Sequence, residues 1–209
     1  FSFAIGGAGG QFLLALLQPG LEHQFLLLQF VTQAGVGLAR LGLKPSDLVV
    51  DIGSNDGTWL ACYQKYGLRT LGVDGARNLA EMANQRGIET WARFFNVEVA
   101  REIIATKGRA QLVTAAGVFF HLEELHSVTE GIAELIRDGG VFCVQAISLT
   151  AMLRHTQFDQ VYHEHLTYWT AKSLERLFTQ YGLEIFHAAM LPIHGGSMEL
   201  LVAPKGTRA

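Results

Sequence analysis

Cysteine and proline are scarce, at two and four among 209 residues. Cys62 and Cys143 fall on a predicted helix and a predicted strand, so no disulfide framework or zinc spacing arises. A reducing, cytoplasmic setting is the expectation. Charge is thin as well. Only 17% of residues are charged, the formal net charge is −3, and no basic run occurs. The electrostatic footprint of a nucleic-acid binder is therefore missing. The first twenty residues hold no charged side chain, yet Gly6, Gly7, Gly9, Gly10, Pro19 and Gly20 break any stable span. No basic segment precedes them, so a membrane crossing is not expected. Residues 1–23 read instead as an apolar, glycine-rich extension, a surface for a protein partner or for further domains. A start at Phe1 rather than Met reads as a fragment or a processed product. What abounds is hydrophobic, at 49% of the chain. One domain of ordinary size with a large core is expected over residues 24–209.

A helix is predicted over Gln24–Leu41, although Gly35 and Gly37 weaken it by roughly 1 kcal/mol each relative to alanine. Lys44-Pro45-Ser46-Asp47 turns into a first strand. Helices and strands then alternate. Helix Thr58–Tyr66 leads to strand Arg69–Asp74, and helix Ala76–Arg86 to strand Ile88–Trp91. Helix Val97–Thr106 leads to strand Gln111–Ala116, and helix Leu122–Ile136 to strand Val141–Ile147. Such alternation implies a parallel sheet covered on both faces. The end differs: helix Ala171–Tyr181, strand Leu183–Leu191, a glycine loop, then the apolar run Met198–Val202, which together make a hairpin. The expected class is α/β: a three-layer, Rossmann-like sheet of seven strands, mostly parallel, closed by an antiparallel hairpin. That is the usual plan of class I methyltransferases.

The stretch Val49-Val50-Asp51-Ile52-Gly53-Ser54-Asn55-Asp56-Gly57 reads as a buried strand ending in a glycine turn that opens a helix. Ligands of open α/β sheets sit at that place. A dinucleotide fingerprint needs Gly-x-Gly-x-x-Gly. This turn instead has Ser54 and Asn55 after Gly53, and Asp56 adds a negative charge that disfavours a pyrophosphate. A ligand with a cationic end, such as S-adenosylmethionine, suits it. Asp74, at the end of the next strand, lies where an acid accepts hydrogen bonds from ribose hydroxyls. Strand-end acids also cap helices, so Asp51 and Asp74 carry both readings. Phe94-Phe95-Asn96 follows the third strand, where Phe95 faces an adenine ring and Asn96 bonds it; as core residues the aromatics read equally well.

Gln157-Phe158-Asp159-Gln160-Val161-Tyr162-His163-Glu164-His165 is dense in polar groups without helical periodicity and is placed on a loop over the strand ends. His165 is the natural base, since an imidazole titrates near neutrality. Glu164 is its companion, as a carboxylate can orient an imidazole. Tyr162 can donate a hydrogen bond to a developing oxyanion. His-x-His can also be a metal pair, but no ligand set at the right spacing accompanies it and no metal is expected. A solvated loop is the plain alternative. His121, after strand Gln111–Ala116, is a second candidate for the reactive end; it also reads as a helix N-terminal residue. His194-Gly195-Gly196-Ser197 reads as a turn.

Together these motifs resemble the SAM-dependent C-methyltransferases of nucleotide-linked deoxysugars. The matching stretches are VVDIGSNDGT (Val49–Thr58), LGVD (Leu71–Asp74), Phe94-Phe95-Asn96, VFFH (Val118–His121), FDQVYHEH (Phe158–His165) and LPIHGGS (Leu191–Ser197). They cover Leu48 to roughly Val202. The resemblance implies that a base removes a proton beside a keto group and the resulting enolate takes a methyl from S-adenosylmethionine. By motif, Glu164 and His165 fall on the catalytic pair, and His121 and Tyr162 beside them. Asp51, Gly53, Gly57 and Asp74 fall on cofactor positions, with Ser54 and Asn55 in the same turn. The substrate implied is a small molecule, a nucleotide-linked keto sugar. Gln111, Ala116-Gly117 and Glu199 depart from the family's pattern, and its flanking domains are not in this chain. An O- or N-methyltransferase would keep the glycine turn and Asp74 without needing Tyr162 to His165. A cofactor-binding module without activity is the rival from another class. A nicotinamide dehydrogenase is disfavoured by the glycine spacing.

Overall fold

The computed structural model describes residues 41–208. The predicted helix Gln24–Leu41, apart from its last residue, and the boundary between residues 23 and 24 lie outside them. The compact unit that carries the sheet is Leu43–Ala209. Its strands are β1 (Leu48–Ile52), β2 (Arg69–Asp74), β3 (Thr90–Ala92), β4 (Leu112–Ala116), β5 (Val141–Ile147), β6 (Leu183–Leu191) and β7 (Ser197–Pro204). The helices are α1 (Thr58–Gln64), α2 (Arg77–Gln85), α3 (Val97–Lys107), α4 (Leu125–Leu135), α5 (Leu149–His155) and α6 (Ala171–Thr179). The seven strands run in the order β3-β2-β1-β4-β5-β7-β6. The first five pair in parallel; β7 is antiparallel to β5 and to β6. The expected class I plan is therefore the one observed.

Alternation along each strand sorts the side chains. Val50, Ile52, Val113, Ala115, Phe142, Val144 and Leu200 join the main core, together with residues of α3, α4 and α6. Val49 and Asp51 point the other way, where α1 packs on β1 and β2. All five residues of β1 are buried, as a strand covered on both faces requires. Gln111, one of the departures noted above, has a structural use: its side chain accepts from the Leu48 amide at 2.9 Å and aligns the start of β1. Among the described residues no helix is long and apolar enough to cross a membrane.

Two segments differ from expectation. The third strand starts at Thr90, not Ile88. The Ile88 amide instead bonds the Ala83 carbonyl and closes α2, while its side chain packs against the glycine turn after β1. Helix α5 was not anticipated. It has only two turns, Ala151 and Met152 are its buried residues, and Ser148 caps it by accepting from the Ala151 amide.

Gly57 opens α1 at φ +75°, and a Cβ there would stand 2.8 Å from Ile88 Cγ2. The left-handed backbone and the clash compound. Gly57→Ala is expected to destabilise the domain by on the order of 2–4 kcal/mol, read from urea unfolding.

Candidate active site

The turn after β1 is held from three sides. Gly53, at φ +72°, donates its amide to the Val73 carbonyl at 2.8 Å, and an added Cβ would meet Val118 at 2.9 Å. Asn55 sits at φ 52° and donates its amide to Asp74 Oδ2 at 2.8 Å. The other oxygen of Asp74 accepts from the Ala76 amide at 2.8 Å. One carboxylate thus ties the first glycine turn to the turn that follows β2. Each oxygen keeps a second lone pair for a ligand.

Beyond this turn lies a cavity of about 740 Å³. Gly53, Asp74, Phe95, Asn96 and His121 line it, so five of the site residues read from sequence converge there. Glu123 and Glu124, from the loop before α4, form part of the wall and were not anticipated. Arg93 also lines it, but Glu102 holds its guanidinium. The acids therefore dominate. Asp56 does not supply the charge expected of it, because Arg86 binds it at 2.7 Å.

Phe95 is 5% exposed and belongs to the core, whereas Phe94 is 83% exposed and its ring lies against Gly75. In this extended segment neighbours face opposite ways, so Phe94 is the ring open to a ligand. Asn96 caps α3, accepting from the Val99 amide at 3.0 Å, and keeps its NH₂ group available. Ser54, Asn55, Gly57 and Asp51 stand behind the lining. Ser54 is buried against Gly72 and Thr90, with no partner for its hydroxyl among the described residues.

Asp51 is 4% exposed and accepts from the Thr114 hydroxyl at 2.6 Å. Burial raises its pKa to about 7, opposed by that hydrogen bond and assisted by the charge of Asp74. A positively charged ligand nearby favours its ionised form.

The second cluster meets the cavity at His121. The loop of residues 157–165 contains one short 3₁₀ turn, Phe158–Gln160, and then runs back across the end of β4. The Leu166 and Thr167 amides both bond the Phe120 carbonyl, and Gln157 donates its side-chain amide to Gly195 at 2.7 Å. The loop is thereby fixed to the segment that follows β4 and to the β6–β7 turn. His165 is 8% exposed, and its Nδ1 lies 2.8 Å from the Gln160 carbonyl. A carbonyl only accepts, so Nδ1 carries the hydrogen and Nε2 keeps its lone pair. His121 Nδ1 lies 2.6 Å from the Glu164 carbonyl, which sets the same tautomer. The two imidazole centroids are 5.1 Å apart, and the Tyr162 ring is 4.2 Å from that of His165.

The expected pairing of Glu164 with His165 is not what orients the His165 ring. Adjacent side chains on a turn diverge, so His165 takes the Gln160 carbonyl, and Glu164 contributes its own carbonyl to His121. The Glu164 side chain is exposed. Residues 194–196 form the expected turn. Among the described residues no His, Cys, Asp and Glu group could hold a metal ion.

Asp51 gives a pH signature with a definite sign. Its folded pKa, about 7, exceeds the ordinary aspartate value of 3.8, so its contribution is fully present below about pH 4 and lost as pH rises through 7. The difference corresponds to on the order of 4 kcal/mol. Asp51→Asn should gain stability over wild type between pH 4 and 8, measured by urea unfolding across that range.

Comparison with known proteins agrees with this geometry. Residues 28–188 match the family model described as "Methyltransferase domain". The chain is 41% identical, over 165 residues, to the C-methyltransferase NovU of Streptomyces niveus, covering 79% of this chain and 39% of NovU. It thus spans about two fifths of that relative's length. Among solved structures, magnesium protoporphyrin IX methyltransferase from Synechocystis PCC 6803 with bound SAH superposes with a TM-score of 0.63 at 17% identity, covering 87% of this chain and 83% of that one. A putative sarcosine dimethylglycine methyltransferase from Galdieria sulphuraria gives 0.64 at 12%, covering 87% of each. These likenesses bear on the fold alone. With the family model spanning most of the sheet and an acid-walled cavity beyond β1 and β2, the chain belongs to the methyltransferase-domain family, as a SAM-dependent methyltransferase domain of the class I fold.

Proposed function

We propose that this domain methylates carbon: it moves the methyl group of S-adenosylmethionine to the carbon beside the keto group of a nucleotide-linked deoxysugar. The observation that carries this reading is His121. It lines the cofactor cavity, and its ring lies 5.1 Å from that of His165, which supports a base close to the bound cofactor. The likeness to a C-methyltransferase and the Tyr162–His165 motif support the same chemistry. Oxygen and nitrogen nucleophiles have less need of such a constellation.

The cavity suits the cofactor on three counts. Its volume lies within the usual range for small-molecule sites. Its acids complement a cation. Asp74 keeps lone pairs for ribose hydroxyls, and Phe94 and Asn96 offer a face and an NH₂ group to adenine. Asp51, Ser54, Asn55 and Gly57 act from behind by fixing the turn. When bound, S-adenosylmethionine supplies an electrophilic methyl and leaves as a neutral thioether.

His165 Nε2 removes the proton from the acceptor carbon, and the C–H electron pair passes into an enolate. Tyr162 donates its hydroxyl hydrogen bond to the enolate oxygen. The carbon then forms its new C–C bond, and the proton stays on His165 until water takes it. The Gln160 carbonyl, which accepts from Nδ1, stabilises the imidazolium. His121 is held by the Glu164 carbonyl between cavity and base. General-base catalysis of this kind contributes about 10²–10⁴-fold.

Two experiments test the reading. In calorimetry, wild type should bind S-adenosylmethionine, and Asp74→Ala should weaken it by roughly tenfold or more, the loss of a hydrogen bond to a charged acceptor. Equal binding would remove Asp74 from the cofactor site. Solvent deuterium should enter the keto sugar in the presence of wild type and about 10²–10⁴-fold more slowly with His165→Ala; equal rates would remove His165 as the base.

A further inference from the structure

On the sheet face opposite the main core, Gln145 of β5 lies beside Glu199 of β7 in register, with Ala116 of β4 on one side and Ala189 of β6 on the other. Val144 and Ala146 point into the core, so alternation sends Gln145 to the other face. It is 5% exposed, yet its side-chain nitrogen has no hydrogen-bond partner among the described residues. Its oxygen lies 3.7 Å from where a Cβ on Gly117 would stand, so the amide is aimed at the end of β4. Buried donors without partners are rare in folded proteins and call for a reason. Glu199 is half-buried, and its carboxylate makes no hydrogen bond or ion pair among the described residues. Burial raises its pKa, opposed by His187 on β6.

The pair stands at the carboxyl ends of the parallel strands, the side on which ligands of such sheets bind. The flanking residues are small; Ala116 is exposed and Ala189 half-buried. The amide nitrogen needs an acceptor and the carboxylate needs a donor. An ammonium group would satisfy only the carboxylate, and a phosphate would be repelled by it. A hydroxyl satisfies both, because its oxygen accepts while its hydrogen donates.

We propose that Gln145 and Glu199 form a substrate subsite that grips a ring hydroxyl of the acceptor sugar. This rests on the acceptor class proposed above. It also sets the acceptor's orientation: the sugar ring lies over β5 and β7, and the anionic diphosphate points away from Glu199.

The test uses the full chain with S-adenosylmethionine and dTDP-4-keto-6-deoxyglucose, and with its 2-deoxy and 3-deoxy analogues. Gln145→Leu and Glu199→Gln should each raise KM for the parent sugar on the order of tenfold to a hundredfold. Affinity for S-adenosylhomocysteine, measured by calorimetry, should stay within about twofold of wild type. With one of the deoxy analogues the penalty should disappear, since the group being gripped is gone. Three results overturn the proposal: unchanged KM in both variants, an equal penalty on every analogue, or cofactor affinity falling in step with KM. Absence of binding and turnover by wild type overturns the acceptor class itself and this subsite with it. Active wild type with insensitive variants overturns the subsite alone.

Discussion

The Asp74 carboxylate, with one oxygen on the Asn55 amide and the other on the Ala76 amide, joins two turns that follow different strands. Everything in the cavity depends on that join. It holds the glycine turn beside the end of β2, so the two parallel strands open onto one space. It also spends only part of the carboxylate's capacity, which leaves acceptor sites aimed outward. The cap reading and the ligand reading of this acid are thus compatible: the backbone bonds fix the direction in which the remaining lone pairs point. Asp51 sits one layer deeper under Thr114 and is costly as an anion. A cation above the turn relieves that cost, so the ligand's charge and the strand-end acids are matched.

A different device organises the two histidines. Both imidazoles are oriented by main-chain carbonyls, Gln160 for His165 and Glu164 for His121. A carbonyl cannot be protonated near neutral pH, so the tautomer does not change with the state of a neighbouring acid. The loop that provides these carbonyls is itself pinned to the Phe120 carbonyl and to Gly195. The orientation of both rings therefore comes from backbone placement, in contrast to the side-chain carboxylate of a catalytic triad.

This difference explains what could and could not be read from residue types. The apolar runs of β5 and β6 have clear bounds, and Asp74 follows the glycine turn at a telling distance, so strands and cradle were legible. Gln160 was not, because a main-chain acceptor carries no mark of its residue. Glu123 and Glu124 reach the cavity from a loop whose path depends on where α4 begins. Phe94 and Phe95 are chemically alike, and only the phase of the chain decides which is buried. Helix α5 is too short to show a period, and Ile88 looked like strand although it closes a helix.

The place of β7 has a consequence for how the polypeptide is made. This eight-residue strand follows β6 in the chain but lies between β5 and β6 in the sheet. As the nascent chain leaves the ribosome, β6 emerges before its partner β7 is in place, and the outer edge of β5 waits unpaired. Both are open templates for strand addition by another chain until β7 arrives. Closing the sheet thus waits on the last of its strands to be made, and solubility up to that moment rests on how soon that strand slots home.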